Sequence, residues 1–197
     1  MGDPAVELPA RATYADVEAV PARYVAELVR GVLHTFPRPA PRHAMASSRL
    51  GGDLIGPFDR GKSGPGGWVI LHEPELHFPD PTEPGEVDAL VPDLAGWRVE
   101  RMPELPETAF FTVAPDWICE VLSPSTAGFD RAEKMAVYAR EGVRHAWLVD
   151  PIARTLEVFA LGADGRWVLH GVHRDKARVR AEPFDAIELE LGVLWER

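Results

Sequence analysis

The feature that most constrains the fold is a strand–helix–strand pattern between residues 116 and 150. An apolar run at 116–122 is followed by a helical pattern at 127–141, which Gly142 ends, and then by the apolar run "HAWLVD". Such a crossover normally joins parallel strands right-handedly. The segment therefore predicts a parallel strand pair. The helical pattern rests on an apolar stripe formed by Ala132, Met135, Ala136 and Ala139.

The segments before this unit predict short helices and extended chain. Thr13 is a possible N-cap for a short helix that ends before Pro21. Residues 23–36 allow either an amphipathic helix or two strands, and Gly31 with the strand-favouring residues after it favours a hairpin that turns at Arg30-Gly31. A second helix is predicted from Pro41 to about Leu54.

The remaining segments predict more strands and hence a mixed sheet. "GWVILHEPELHF" is expected to be extended and bent at Pro74, and "EVDALVPDLAGW" to be one strand in which Pro92 indicates an edge or a bulge. A hairpin turning at 163–165 and a closing strand in "AIELEL" complete the chain. The prediction is an α/β fold with a mixed central β-sheet flanked by helices. Residues 1–12 are expected to form a flexible leader and residues 13–197 a single domain.

Composition narrows the classes of function. The net charge of −10 argues against a surface that coats nucleic acid broadly, although local phosphate contacts stay possible when metal ions neutralise part of a site. The single cysteine, Cys119, excludes an internal disulfide and a multi-cysteine zinc site. No apolar run is long enough to span a membrane, and the N-terminus lacks the pattern of a signal peptide. These features lead us to expect a cytoplasmic protein.

Glu120 is an acid in a strand without an obvious solvent face. Alternation sends Trp117, Cys119 and Val121 to one face and Ile118, Glu120 and Leu122 to the other. An unpaired buried carboxylate costs several kcal/mol, so Glu120 needs a partner. Mg²⁺ is one such partner, because it binds one or two carboxylates together with waters and phosphate.

Two further residues complete a candidate site. Asp93, in "VPDLAGW", is the best second acid, approaching from a neighbouring strand. Lys134 lies on the helix that must fold back over the sheet, so its ammonium group is expected near the strand end, where it would orient or deprotonate a water and offset developing charge. Asp130 precedes Lys134 by one helical turn, so an ordinary ion pair is the competing interpretation of Lys134.

These residues lie within a family pattern. "PD" at 92–93, "ICEVLSPST" at 118–126, the series Asp130, Lys134 and Tyr138, and "GVRHAWLVDP" at 142–151 resemble the Uma-type family of restriction endonucleases, which belongs to the PD-(D/E)XK nuclease superfamily. "AELVRGVL" at 26–33 is similar to the family's first conserved segment, and His43 falls where the family usually has a His. The resemblance runs from about Thr13 to the C-terminal "IELELGVLW".

The resemblance implies a restriction-endonuclease-like core and metal-dependent hydrolysis of nucleic-acid phosphodiester bonds, most simply in DNA. Asp93, Glu120 and the Val121 carbonyl would hold Mg²⁺ or Mn²⁺, and a homodimer is expected because superfamily members often pair. Lys134 would replace the usual motif lysine, whose position is Leu122, and Glu27 would shape the site or hold a second metal. Arg30 stands where the family usually has Asp, which weakens the second-metal role. The long Pro-rich stretch between the two metal-binding acids is expected to affect access.

Other interpretations stay open at this point. A non-catalytic binding or assembly module that keeps the nuclease fold would suit the acidic surface. "HEPELH" at 72–77 offers His and Glu, but Pro74 interrupts the helix that zinc spacing needs. Ser123, His145 and Asp150 would form a hydrolase triad without the usual elbow motif. "GKSGPGG" at 61–67 resembles half of a phosphate-binding loop and is expected to be a flexible loop.

Overall fold

The computed structural model describes residues 11–196 and has an α/β architecture, as predicted. Of the flexible leader expected at 1–12, residues 1–10 lie outside the described residues. The helical segments are α1 (Tyr14–Glu18), α2 (Pro41–Leu54), α3 (Ala127–Phe129) and α4 (Met135–Arg140), with π-helical turns at Ile55–Asp59 and Asp130–Lys134 and a 3₁₀ turn at Leu191–Leu194. None of the helices within 11–196 has the length and apolar character needed to cross a membrane.

The described strands form three sheets. The largest has six strands in the order β10-β9-β8-β7-β6-β3, the second has four in the order β2-β1-β5-β4, and β11 pairs with β12. The strands are β1 (Tyr24–Val29), β2 (Val32–Pro37), β3 (Trp68–His72), β4 (Leu76–Pro79), β5 (Val87–Leu90), β6 (Leu94–Arg98), β7 (Trp117–Val121), β8 (His145–Asp150), β9 (Thr155–Leu161), β10 (Trp167–Arg174), β11 (Arg178–Val179) and β12 (Leu189–Glu190).

The parallel pair and the mixed sheet are confirmed. β7 and β8 run parallel, with Glu120 opposite Leu148, whereas the neighbours of this pair run antiparallel. The hairpin interpretation of residues 23–36 is also confirmed: β1 and β2 pair antiparallel and turn at Arg30 and Gly31, which both have positive φ. Two consecutive positive φ values favour the twist that a two-residue hairpin needs.

The faces of β7 agree with the predicted alternation. Trp117, Cys119 and Val121 pack in a core with α2, whereas Ile118 and Leu122 pack in a second core with residues of α4 such as Val137. Burial raises the pKa of the Cys119 thiol, in keeping with an inert core thiol. Glu120 therefore projects toward the layer that contains residues 127–140.

The prediction of one strand across "EVDALVPDLAGW" is wrong. The segment forms two strands, β5 in the four-stranded sheet and β6 in the six-stranded sheet, separated at Val91–Asp93. Neither strand is an edge, since each has a partner on both sides. Pro92 has no N–H to donate to a ladder, so the chain leaves one sheet there and enters the next. This break places Asp93 where the two sheets meet.

The predicted apolar stripe of the crossover helix is correct only in part. Met135 is buried and Ala139 is half-buried, but Ala132 and Ala136 are exposed, whereas Asp130, Lys134 and Tyr138 are buried. The π-helical turn at Asp130–Lys134 widens the helix by one residue and changes which side chains face the sheet. The inward face of this segment consequently carries polar side chains beside apolar ones. The closing strand is shorter than expected, because only Leu189 and Glu190 of "AIELEL" are in a strand.

Candidate active site

Three elements that are distant in sequence bring acidic side chains to one cavity. Glu27 projects from β1, Asp93 from the break between β5 and β6, and Glu120 from β7. All three line a cavity of about 520 Å³ together with Lys134 and Asp130. Glu27 and Glu120 are only 3% and 2% exposed, so their charges are largely removed from bulk water. The residues predicted to share a site therefore do converge.

Lys134 lies between two of the acids. Its ammonium nitrogen is 2.8 Å from Glu27 Oε1 and 3.0 Å from Glu120 Oε1, and it donates to the Val91 carbonyl at 3.1 Å. These three acceptors match the three N–H groups of an ammonium group. Asp130, the helical ion-pair partner considered above, is farther away at 3.9 Å. The ammonium group of Lys134 therefore lies closer to Glu27 and Glu120 on the sheets than to Asp130 on its own helix.

The charge state of Lys134 follows from these neighbours. Burial alone lowers the pKa of the ammonium group, but the carboxylates of Glu120, Glu27 and Asp130 outweigh burial and raise the pKa above its ordinary value. Lys134 is thus protonated at neutral pH. It can donate hydrogen bonds and stabilise negative charge, but it has no free lone pair with which to accept a proton from water.

Tyr138 supplies a further donor to the strand acid. Its hydroxyl group donates to Glu120 Oε1 at 2.6 Å, and its side chain is fully buried. In the sequence, Tyr138 stands out only as part of the family pattern; the structure adds its contact with Glu120. The signal that could have revealed this contact is the polar series Asp130, Lys134 and Tyr138, whose spacing of four residues aligns one helix face.

Asp93 is held by a different set of contacts. The Val121 N–H donates to Asp93 Oδ2 at 2.7 Å, and His43 Nε2 lies 3.3 Å from Asp93 Oδ1. Burial lowers the pKa of His43, yet its hydrogen bond to Asp93, the charges of Asp93 and Asp130 and the Val121 backbone together raise it. The Val121 N–H joins Asp93 directly to the backbone of Val121, which brings two of the predicted metal ligands to one place.

The buried charges of the cavity do not balance. Glu27, Asp93, Glu120 and Asp130 face a single ammonium group, with His43 as the nearest other candidate cation. Burial raises the pKa of Glu120 well above its ordinary value, with Lys134 opposing the shift and the other acids adding to it. Burial likewise raises the pKa of Asp130 to about 6, against the opposing effect of Lys134. Excess negative charge of this kind favours binding of a cation.

The donor set fits a magnesium-type ion better than a zinc-type ion. Within residues 11–196, no three His, Cys, Asp or Glu side chains converge on a common metal position. Mg²⁺ does not need such a cage, because it keeps several waters and uses one or two carboxylates. Asp93, Glu120 and the Val121 carbonyl supply hard oxygen atoms of this kind. The contacts of Glu120 with Tyr138 and Lys134 both use Oε1, which leaves Oε2 without a hydrogen-bond partner among the described residues.

Two of the alternative sites are not assembled. In "HEPELH", His77 is paired with Glu75 at 2.7 Å and Glu75 also accepts from Tyr14, while His72 lies at the end of a different sheet's strand. The proposed triad is separated along β8: His145 lies opposite Trp117 at one end, whereas Asp150 lies at the other end and accepts from the N–H groups of Ile152 and Ala153.

Neither the glycine-rich segment at 61–67 nor the Pro-rich connection at 99–116 lines the cavity. Residues 61–67 follow a π-helical turn and precede β3, so no helix begins there to bind phosphate. β6 and β7 run antiparallel, so the connection at 99–116 joins the strand ends opposite to Asp93 and Glu120. None of its residues lines the cavity, although the Phe111 N–H donates to the carbonyl of Glu75, which does. The effect of this stretch on access stays a prediction.

Comparison with known proteins identifies the family of this chain. A family model described as "Putative restriction endonuclease" matches residues 12–193. The chain belongs to this Uma2 family. A crystal structure from Anabaena variabilis, described as "a putative nuclease belonging to DUF820", matches with a TM-score of 0.70 and 21% sequence identity, covering 93% of this chain and 97% of that chain. No curated protein matches.

Membership of the Uma2 family confirms the family resemblance that was identified from the sequence motifs. The neighbour from Anabaena variabilis has the same fold over nearly its whole length, which confirms the restriction-endonuclease-like α/β prediction. At this identity the likeness concerns the fold, so it does not assign roles to individual side chains. The roles of Asp93, Glu120, Lys134 and Glu27 in this Uma2 protein are inferred from the geometry described above.

Proposed function

We propose that this protein is a Mg²⁺- or Mn²⁺-dependent endonuclease that hydrolyses phosphodiester bonds in DNA. The observation that carries the proposal is the convergence of Glu27, Asp93, Glu120 and Lys134 on one cavity in a member of a restriction endonuclease family. Two acids can hold a metal ion that polarises a phosphodiester, and an ammonium group can stabilise the charge that develops as water attacks. We further propose that residues 13–197 act as one domain and that the protein forms a homodimer.

Asp93, Glu120 and the Val121 carbonyl would hold the metal ion. When bound, the metal would polarise the phosphate and lower the pKa of a water molecule. The side chains around these ligands keep them oriented: the Val121 N–H and His43 hold Asp93, while Tyr138 and Lys134 hold Glu120 Oε1. Glu120 therefore keeps its second oxygen for the cation. Lys134 opposes the effect of burial on the pKa of Glu120.

Lys134 acts in this proposal as a hydrogen-bond donor and a fixed positive charge. Because its pKa is raised, it would position the attacking water and stabilise charge that develops on the phosphate, and would not act as a general base. Each of its three N–H groups already has an acceptor. Lys134 can therefore donate to a substrate oxygen only if one of these hydrogen bonds is broken. The neutral Val91 carbonyl, at 3.1 Å, is the most distant of the three.

Glu27 acts as a positioning residue. Its Oε1 accepts from the Val91 N–H at 2.7 Å and contacts the Lys134 ammonium group at 2.8 Å. Glu27 thereby ties the strand break that carries Asp93 to the helix that carries Lys134. This bridging role supports the function of Glu27 in shaping the site.

The test is a cleavage assay on single-stranded, duplex and branched DNA with Mg²⁺, Mn²⁺ or EDTA. We expect metal-dependent cleavage that Glu120→Gln and Asp93→Asn abolish, while Glu157→Gln, on β9 outside the cavity, leaves it intact. In parallel, Mg²⁺ should raise the melting temperature of the wild type and of Glu157→Gln but not of Glu120→Gln. Cleavage that persists in EDTA, or equally in Glu120→Gln, contradicts the proposal.

The competing function is a binding or assembly module that keeps the fold without catalysis. The net charge of −10 favours this alternative, because it suits a protein partner better than a DNA surface. A folded wild-type protein that shows neither cleavage nor a metal-dependent shift in melting temperature would support the module.

A further inference from the structure

An aromatic cluster lies beside the cavity and has no role in the chemistry proposed above. It consists of His34, Phe36 and Phe129. The ring of Phe129 lies 4.2 Å from that of His34 and 5.2 Å from that of Phe36, measured between centroids. All three side chains are partly exposed, and Phe36 also lines the cavity. We call these three residues the aromatic platform.

The platform shares a face with the acids of the cavity. In the β1–β2 hairpin, His34 lies directly opposite Glu27 and Phe36 lies opposite Val25. Residues directly opposite in an antiparallel pair project to the same side, as do residues two apart on one strand. Glu27, His34 and Phe36 therefore project from one face of the hairpin. Phe129 immediately precedes Asp130, another residue that lines the cavity.

Charge around the cavity argues against binding through phosphates alone. The lining includes six acids, Glu27, Glu73, Glu75, Asp93, Glu120 and Asp130, but only two permanently charged cations, Arg38 and Lys134. Duplex DNA is held largely by Lys and Arg contacts to its backbone. The Lys134 ammonium group is already shared among three acceptors. Apart from a bound metal ion, the cavity therefore offers few cations to phosphate, and we expect other contacts to contribute to substrate affinity.

Flat, partly exposed rings next to the cavity supply such contacts. A nucleobase can stack on an aromatic side chain when it is unpaired and outside a helix, and this interaction tolerates any sequence. We propose that the aromatic platform stacks an unpaired base adjacent to the bond that is cut, so that the preferred substrate is single-stranded or locally unpaired nucleic acid. This inference rests on the proposed nuclease function and specifies its substrate class.

The test measures binding separately from cleavage. A fluorescently labelled short DNA strand and its duplex are titrated with protein in Ca²⁺ and followed by fluorescence anisotropy, with strand integrity checked on a gel. Phe36→Leu and Phe129→Leu keep apolar volume but remove the flat ring. Phe159→Leu, at a partly buried position on β9 outside the cavity, is the matched control. Circular dichroism spectra establish that each variant is folded.

We expect the single strand to bind at least about tenfold more tightly than the duplex. Phe36→Leu and Phe129→Leu should each weaken single-strand binding by about fivefold or more, whereas Phe159→Leu should not change it. Binding should also depend weakly on salt, because few phosphates are neutralised. Equal or tighter duplex binding, absence of measurable single-strand binding, or folded platform variants that bind like the wild type would overturn the inference.

The outcomes separate this inference from the proposed function. Ring-dependent binding of single strands without cleavage in any metal supports the platform and overturns the nuclease. Metal-dependent cleavage of duplexes that Phe36→Leu and Phe129→Leu do not affect supports the nuclease and overturns the platform.

Discussion

The Tyr138 hydroxyl and the Lys134 ammonium group both contact the same oxygen of Glu120, at 2.6 and 3.0 Å. Two donors from one helical segment thus hold one carboxylate oxygen of a strand acid that is 2% exposed. An ionised buried carboxylate is tolerated only with such partners. The arrangement makes the stability of the protein depend on the same residues that we propose for its chemistry.

Replacement of Lys134 should destabilise the protein strongly. In Lys134→Met, three buried acids, Glu27, Glu120 and Asp130, lose their common cation. We expect the free energy of unfolding at neutral pH to fall by about 3–5 kcal/mol, measured by urea denaturation. Lys176→Met, which breaks the exposed pair with Glu196, should change it by less than about 1 kcal/mol. Similar losses in the two variants would contradict the buried-cation interpretation.

Tyr138→Phe isolates the hydroxyl group that donates to Glu120. The ring still fills its buried site, but the carboxylate loses a donor. Because hydrogen bonds to charged groups contribute about 1.5–3 kcal/mol, we expect the free energy of unfolding to fall by about that amount. The loss should appear as a lower urea midpoint. Tyr24→Phe changes a side chain that is 40% exposed and serves as the control, with little expected effect. An unchanged midpoint in Tyr138→Phe would mean that the contact with Glu120 contributes nothing to stability.

Asp130 should make stability depend on pH. Burial raises the pKa of its carboxyl group from 3.8 to about 6, with Lys134 opposing and Glu27 and Asp93 reinforcing the shift. The folded state holds this proton more tightly than the unfolded state, so the stability due to Asp130 is fully present below pH 3.8 and is lost as pH rises through 6. The loss amounts to about 3 kcal/mol.

Asp130→Asn removes this titration. We therefore expect the unfolding free energy of Asp130→Asn, relative to wild type, to rise between pH 4 and pH 7 when urea midpoints are compared. Asp164→Asn, in an exposed turn, should stay parallel to the wild type across the same range. A constant difference between Asp130→Asn and wild type would show that the carboxyl group titrates alike in both states.

The pair formed by Asp88 and Arg140 should respond asymmetrically to substitution. Asp88 has no exposed side-chain surface, and it accepts from the Arg30 N–H at 2.5 Å and pairs with Arg140 at 2.8 Å. Arg140→Gln leaves a buried charge without its partner, whereas Asp88→Asn leaves a partly exposed guanidinium group that water can solvate. Arg140→Gln should cost about 3 kcal/mol and Asp88→Asn less, by urea denaturation. The double variant should be more stable than Arg140→Gln alone; the reverse order would contradict this account.

Alternation and spacing predicted the central unit correctly for a physical reason. A buried strand such as β7 must send successive side chains to opposite cores, so the position of Glu120 followed directly from its neighbours. The crossover to β8 then required residues 127–140 to cover that face. The proximity of Lys134 to Glu120 was therefore foreseeable from local sequence and chain direction.

Two features were not foreseeable in the same way. The π-helical turn at Asp130–Lys134 depends on how polar side chains meet acids from other strands, and no single residue type encodes it. The break at Val91–Asp93 lies within a continuous apolar pattern, because both β5 and β6 are buried although they belong to different sheets. In both cases tertiary contacts outweigh local propensity.

The position of the connection 99–116 has a practical consequence. Residues 103–109 are exposed, and none of them lines the cavity. Exposed loop tips tolerate inserted sequence well. We expect a dye, an affinity tag or a surface tether introduced at 104–107 to leave the cavity accessible. This loop is therefore a suitable attachment point for single-molecule measurements.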